Sequence, residues 1–580
     1  MRASKVSLVG RLRYRFDGLM ARGPIALIGL LFAVSVVFIG VMAGIVKVCG
    51  LAPVDEEGHG AGFMKVFWMG LMRTLDAGTM GGDQGNWLFL ICMLVEANAN
   101  RHRPCITVLA DKDKVEMEDE IASHVEDLKN TRLVCRSGNP YDLVDLEIVN
   151  PHEARSIVVL APEGEDPDSH VIKTILAITH NPNRRPEPYH IVAPIRDPRN
   201  LEVAKTITKN EAVLLLVGDL IARITVQTCR QSGLSIVYTE LMDFGGDEIY
   251  FQEEPGLVGK TFSDALMAYE DSSIIGLRFA DGATKVNPPM DTKIGRGDKV
   301  IAISEDDDTV RLSGIQSPGL DPAAVCTAKP RERRPERTLM IGWNARGPIM
   351  INELDAYVAP GSYVRVVARS EHAADHIASR CDHLKNLKCE FEEGDTTDRA
   401  VLDRLEVPSY DHIITLGYSD QMGPQEADAK TLVTLLHLRD IAAKGARELS
   451  IVSEMQDVRN RQLAEVAKVN DFIVSDKLIS LLMAQISENK ELAAVFEDLF
   501  DPVGSEIYVK PVEDYVALGT PVTFYTAVDS ARRRGEVAIG YRIKAEEHDA
   551  AKSHGVYVNP DKSAKVIFSA ADKIIVIAED

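Results

Sequence analysis

The chain has 580 residues, a length for roughly three or four domains of ordinary size. Its formal net charge of -22 excludes nucleic acid as a partner, because a phosphate-binding surface needs a basic face. Eight cysteines (Cys49, Cys92, Cys105, Cys135, Cys229, Cys326, Cys381, Cys389) stand without a C-x-x-C spacing, which fits reduced, buried thiols in a cytosolic compartment better than a disulfide framework or a zinc site.

Residues 1–22 are basic, with Arg2, Lys5, Arg11, Arg13, Arg15 and Arg22 against the single acid Asp17. Residues 23–46 are almost wholly apolar and uncharged, long enough to cross a hydrocarbon core of roughly 30 Å. The positive charge before this span puts the N-terminus in the cytoplasm. The run is too long for the apolar region of a secretory signal, and no A-x-A site follows it.

The run 67–83, FWMGLMRTLDAGTMGGD, reads as a short helix that enters the membrane and stops. The small-residue stretch Ala77, Gly78, Thr79, Met80, Gly81 and Gly82 can then line a narrow aqueous path with backbone carbonyls. Non-helical backbone at membrane depth is tolerated where it lines such a path, and carbonyl rings replace an ion's hydration shell in filters. With Thr74, Asp76 and Asp83 these are the candidate pore residues. A glycine-rich turn outside the membrane is the plain alternative.

Residues 87–95, WLFLICMLV, are apolar but fall short of the ~20 residues a crossing helix needs. They run straight into Glu96-Ala-Asn-Ala-Asn-Arg-His-Arg103, which is water-soluble. One full crossing would leave the rest of the chain outside the cell, although its acidic, unpaired-cysteine composition reads as cytosolic. The contradiction lifts if 87–95 is the stump of a longer second membrane helix, so 23–95 is expected to be the membrane and pore region.

The remainder reads as an internal duplication. In 96–240, strands at 106–110, 156–160 and 190–194 alternate with helices at 170–178 and 219–231. In 338–500, strands at 363–368, 412–416 and 449–453 alternate with helices at 430–438 and 476–489. Such alternation predicts an α/β fold, two tandem doubly wound parallel-sheet, Rossmann-like modules. Each is followed by a small β-rich subdomain, 241–303 and 501–580. These begin alike, Gly246-Asp-Glu-Ile-Tyr and Gly504-Ser-Glu-Ile-Tyr, and end alike, Gly297-Asp-Lys-Val-Ile and Ala571-Asp-Lys-Ile-Ile. The segment 304–337, with its acids, prolines and Arg331-Glu-Arg-Arg-Pro-Glu-Arg, reads as a solvated linker.

Aligning the copies exposes a gap. The second opens with a strand and the turn Gly342-Trp-Asn-Ala-Arg-Gly347, whereas the first resumes at Glu96, partway along its first helix. One missing block accounts for both the absent strand and the short membrane helix. An internal deletion is the preferred account, a natural variant the other.

The order of basic N-terminus, spanning helix, Arg73-Thr-Leu-Asp-Ala-Gly-Thr-Met-Gly-Gly-Asp83 and paired modules containing Ile341-Gly-Trp-Asn-Ala-Arg-Gly-Pro348 resembles the CASTOR/POLLUX ion channels. It is most similar to their bacterial relatives. The resemblance runs from residue 23 to residue 580. It implies a tetrameric channel in the cell membrane, with its N-terminus and a ring of regulator-of-K⁺-conductance modules in the cytoplasm. Ligand binding to that ring would pull on the inner pore helix, the element this chain mostly lacks.

The candidate sites follow from these readings. Asp76 and Asp83 flank the filter-like run, where carboxylates concentrate permeant cations; helix caps are their alternative role. Gly342, Asn344, Arg346 and Gly347 form a G-x-x-x-x-G turn placed to face a nucleotide phosphate. Arg369 ends the next strand where an acid ordinarily holds the ribose. In the first copy Asp111 and Asp113 offer that acid without the glycine turn, so neither copy shows a complete dinucleotide site. Asp243, Asp247, Glu248, Glu253 and Glu254 are oxygen ligands of the kind Ca²⁺ takes, and the resemblance makes calcium or a nucleotide the regulator; a solvated acidic surface is the alternative. The function expected is a ligand-gated cation channel subunit, permeable to K⁺ or Ca²⁺, working as a homo-oligomer. The alternative is a nucleotide-responsive regulatory subunit of a separate Trk-type transporter. No catalytic constellation supports an enzyme.

Overall fold

The computed structural model describes residues 87–579 except 126, 163–165, 210, 316, 328–332, 445–448, 458–459, 461–470, 502–503 and 548. The basic N-terminus, the apolar span and the filter-like run lie outside the described residues.

The first module opens with helix α1 (Trp87–Ala97). Strands β1 (Cys105–Ala110) and β2 (Arg132–Ser137) follow as a parallel pair. Strands β3 (Ile157–Val158), β4 (Ile191–Ile195) and β5 (Ala212–Leu216) form a separate parallel sheet, with helix α2 (Pro167–Thr179) between β3 and β4 and helix α3 (Val217–Arg230) after β5. The first small subdomain folds strands β6 (Glu248–Gln252), β7 (Ser272–Arg278), β8 (Thr284–Val286) and β9 (Lys299–Ser304) into an antiparallel sheet of order β6-β9-β7-β8.

The second module begins with β10 (Arg337–Ile341) and helix α4 (Gly347–Tyr357). Strands β11 (Ser362–Ala368), β12 (Leu387–Glu393) and β13 (His412–Thr415) lead to helix α5 (Pro424–Lys444). Strands β14 (Ser450–Met455) and β15 (Asp471–Val474) precede helix α6 (Ser475–Glu488). The six-stranded sheet has order β12-β11-β10-β13-β14-β15, parallel throughout. From Thr338 to Ile341 every residue of β10 is buried, the continuous apolar run required of a strand covered on both faces. In the first module β2-β1 and β3-β4-β5 repeat this order, with no strand among the described residues in the position of β10.

The second small subdomain comprises β16 (Glu506–Pro511), β17 (Pro521–Thr523), β18 (Val537–Arg542), β19 (Val556–Val558), β20 (Lys565–Ile567) and β21 (Lys573–Ala578). Its sheet order, β16-β21-β18-β19, matches that of the first. Both sheets shift register at one place, at Gly276 and at Gly540. A Cβ at Gly276 would lie 2.5 Å from the Lys285 carbonyl oxygen, and one at Gly540 would lie 2.2 Å from that of Tyr557. Only glycine lets the neighbouring strand approach so closely.

Two expectations are corrected. Segment 87–95 is not a membrane stump: within α1, Leu88, Leu90, Ile91 and Val95 are buried, and the helix packs against α6. The apolar face that its sequence offers to lipid is covered by protein, and among the described residues no helix is long and apolar enough to cross a membrane. The linker, too, is partly held. The Cys326 N–H donates to the Tyr515 carbonyl at 2.9 Å and the Ala517 N–H to that of Ala324 at 2.8 Å, so its end pairs with the second subdomain.

The modules interlock. Helix α3 leaves the first module to pack on α4 and the β13–β15 end of the second sheet, while α6 leaves the second to pack on α1 and β4 of the first.

Candidate functional site

The glycine turn lies between β10 and α4. Gly342 has φ 90°, and a Cβ there would sit 2.1 Å from the Leu416 carbonyl oxygen, so the turn admits only glycine. A Cβ at Gly347 would lie 2.6 Å from the Trp343 ring, which is tucked beneath the helix start. Asn344 is buried and donates through Nδ2 to the Gly417 carbonyl and to Glu454 Oε2, each at 2.9 Å. Its Oδ1 accepts from the Arg346 N–H at 3.0 Å. Glu454, on β14, is fully buried and also takes the Arg346 guanidinium and, at 2.9 Å, the Ser475 hydroxyl. The Ala345 N–H, at the N-terminus of α4, donates to Asp420. The turn predicted to face a phosphate is thus bonded to two carboxylates of its own module.

Arg369 directly follows β11, and its side chain is 76% exposed, 4.0 Å from Asp395. Hydrogen bonds from the Thr397 hydroxyl and N–H hold the Asp395 carboxyl below its ordinary range. In the first module Asp111 is exposed, and Asp113 caps the helix Lys114–His124 by accepting from Val115 N–H at 2.8 Å and Glu116 N–H at 3.2 Å. Asp113 therefore serves as a helix cap.

The acidic residues around the first subdomain do not converge. Asp243 accepts from the Gly245 N–H at 3.2 Å, Asp247 from Asn559 at 2.9 Å, and Glu254 from the Gly256 N–H at 2.8 Å. Glu248 accepts from Gln485 at 3.2 Å, and Glu253 is exposed. Among the described residues no group of three or more His, Cys, Asp or Glu side chains is placed to hold a metal ion. Four of the five expected oxygen ligands are engaged within the protein, Asp243 and Glu254 in local turns and Asp247 and Glu248 in contacts with the second half of the chain. Thr74, Asp76, Ala77, Gly78, Thr79, Met80, Gly81, Gly82 and Asp83 lie outside the described residues.

Several polar residues not singled out in the sequence hold the modules together. Asp168 on α2 accepts from Arg196 N–H, Asp197 N–H and Asn200 Nδ2, all at 2.9 Å. Asp428 on α5 accepts from Gln456 N–H at 2.9 Å, Asp457 N–H at 3.0 Å and Asn460 Nδ2 at 2.8 Å. The recurrence of Asp-x-x-Asn at Asp197–Asn200 and Asp457–Asn460 was the available signal. Between the subdomains, buried Lys562 donates to the Tyr269 carbonyl at 2.8 Å and to that of Ser272. Nearby, Asn559 donates to Asp247 and, at 3.0 Å, to the Asp271 carbonyl. Desolvation pushes the Lys562 amine down to about 7 against the opposing pull of Glu270 and Asp271.

Comparison with known proteins bears on the middle of this assembly. Residues 218–318 match the family described as Castor and Pollux, part of voltage-gated ion channel. That segment takes in α3 and the first small subdomain. The chain is 30% identical over 532 residues to a protein named Probable ion channel CASTOR from Oryza sativa subsp. japonica, covering 84% of this chain and 58% of that one. It is 29% identical over 531 residues to Ion channel CASTOR of Lotus japonicus, covering 84% and 61% respectively. The chain thus spans about three-fifths of the length of these relatives. They are ion channels, not enzymes. In fold it is similar to the human SLO3 gating ring, with a TM-score of 0.57 at 14% identity over 82% of this chain and 95% of that one.

Proposed function

We propose that the chain is a CASTOR/POLLUX-type ion channel subunit, related to the bacterial members of that family, whose two tandem modules form a gating ring for a cation-conducting pore. The observation that carries this reading is the exchange of α3 and α6 between modules: each helix rests on the opposite sheet, so a shift in one module displaces the other. Where packed interfaces have two discrete arrangements, a small local shift becomes a rigid-body movement. The similarity to ion channels and to a gating-ring fold supports the same reading.

In this proposal the subunit lies in the cell membrane with its modules cytoplasmic. Four chains close the pore on a symmetry axis, and residues 74–83 line it. A block encoding the inner membrane helix, one strand and its glycine turn is missing ahead of Trp87. The two separate sheets of the first module support that account. Sequencing the transcript across codons 83–96 tests the deletion, and an uninterrupted natural reading there would overturn it.

The pore assignment is tested by single-channel recording of a chain with the block restored. Asp76→Asn or Asp83→Asn is expected to lower cation conductance in dilute salt and to have little effect near molar salt. A carboxylate ring concentrates cations only over the Debye length, about 10 Å at 0.1 M. A loss that does not depend on salt would return both residues to capping roles. Light scattering in detergent is expected to give four chains, and a monomer would refute the ring.

A further inference from the structure

The parallel sheet implies a dinucleotide at the turn between β10 and α4, and the residues there can be tested for fit. A dinucleotide pyrophosphate needs free N–H groups at the helix N-terminus and glycines that let it approach the backbone. Here the Ala345 N–H is bonded to the Asp420 carboxylate. The positions between Gly342 and Gly347 carry Trp343, Asn344, Ala345 and Arg346, with Trp343 and Asn344 buried. The turn's one cation, Arg346, is committed to the buried Glu454 carboxylate, which Asn344 and Ser475 also hold. The end of β11 presents an arginine, Arg369, where a ribose needs an acceptor. A phosphate brought here would meet two carboxylates and no free cation of the turn, an arrangement that repels anions.

We infer that the second module's glycine turn is closed by its own carboxylates, Asp420 on the helix N-terminus and Glu454 beneath it, and that it takes no dinucleotide. Asp420 stands in for the phosphate: it ties the β13–α5 loop to the start of α4, and Glu454 ties β14 to the same point. The helix held in this way is the one on which α3 of the first module rests. The turn is therefore a mechanical joint, and any ligand that regulates the chain acts elsewhere. This inference does not depend on the channel reading.

Isothermal titration of the full chain with NAD, ADP and inorganic phosphate tests it. The wild type is expected to bind none of the three below about 1 mM, a threshold equivalent to about -4.1 kcal/mol. Asp420→Ala, which frees the Ala345 N–H, is expected to raise affinity for ADP or phosphate at least ten-fold. Binding of NAD or ADP by the wild type tighter than that threshold overturns the inference. So does a folded Asp420→Ala variant that gains no affinity, since Asp420 would then not be the closing group. If that variant fails to fold, equilibrium dialysis of the wild type against labelled ADP and NAD decides alone: no retention supports the closed turn, and retention refutes it.

Discussion

Arg230 and Glu488 occupy the same place in the two modules, the last residue of a crossing helix, and carry opposite charges. Arg230 pairs with Glu336 at 3.0 Å, before the first strand of the second module. Glu488 pairs with Arg101 at 2.6 Å and with Arg155, both in the first module. Desolvation raises the Glu336 carboxyl, but hydrogen bonds from His412 and Arg230 outweigh it and bring it down to about 2.

Arg230→Glu should therefore destabilise the chain by about 1–3 kcal/mol, since it sets two carboxylates against each other in a partly desolvated site. The double variant Arg230→Glu/Glu336→Arg should recover at least ~1 kcal/mol of that loss. Denaturant unfolding of the two single variants and the double variant measures the coupling, and strict additivity would show that the pair does not couple the modules.

Asp168→Ala and Asp428→Ala should each cost about 1–3 kcal/mol or more, because each leaves two backbone N–H groups and an asparagine amide without an acceptor. The losses should add in the double variant, as the residues lie in different modules and share no partner. Thermal or urea unfolding of the three variants checks this, and a neutral Asp428→Ala would deny the loop-holding role.

The Lys562 amine has a folded-state value near 7, well below the ordinary lysine value of about 10.4. The unfolded chain then binds more protons between these values, so stability should rise from pH 7 toward pH 9 and fall away as pH drops through 7. The groups facing Lys562 are Glu270, Asp271 and the Tyr525 ring. Lys562→Met should flatten the rise measured by urea unfolding at pH 7, 8 and 9. An unchanged pH slope in the variant would show that the amine stays charged in its pocket.

Much of the fold was legible because periodicity and repetition are local. Strand 363–368 emerges within β11 and helix 476–489 as α6, one residue from where it was placed. The matching ends Gly297-Asp-Lys and Ala571-Asp-Lys carry Asp298 and Asp572, and each aspartate accepts two backbone N–H groups. The site was harder to read. Glu454 lies one residue past the strand read at 449–453 and belongs to no motif, yet its buried carboxylate holds Asn344, Arg346 and Ser475. The apolar helix α1 looked like lipid contact because its partner, α6, lies nearly the whole described chain away in sequence. Residues that meet only across the crossing leave no local spacing to detect.

The divided sheet of the first module has one more consequence. In the second module β10 is hydrogen-bonded on both sides, to β11 and β13. Among the described residues β1 pairs only with β2, and β3 only with β4. Two strands that correspond to interior positions of the second sheet are therefore sheet edges among the described residues, and edges recruit strands from other chains. The first module is thus where the purified chain would begin to aggregate, and where a supplied strand would do most to keep it soluble.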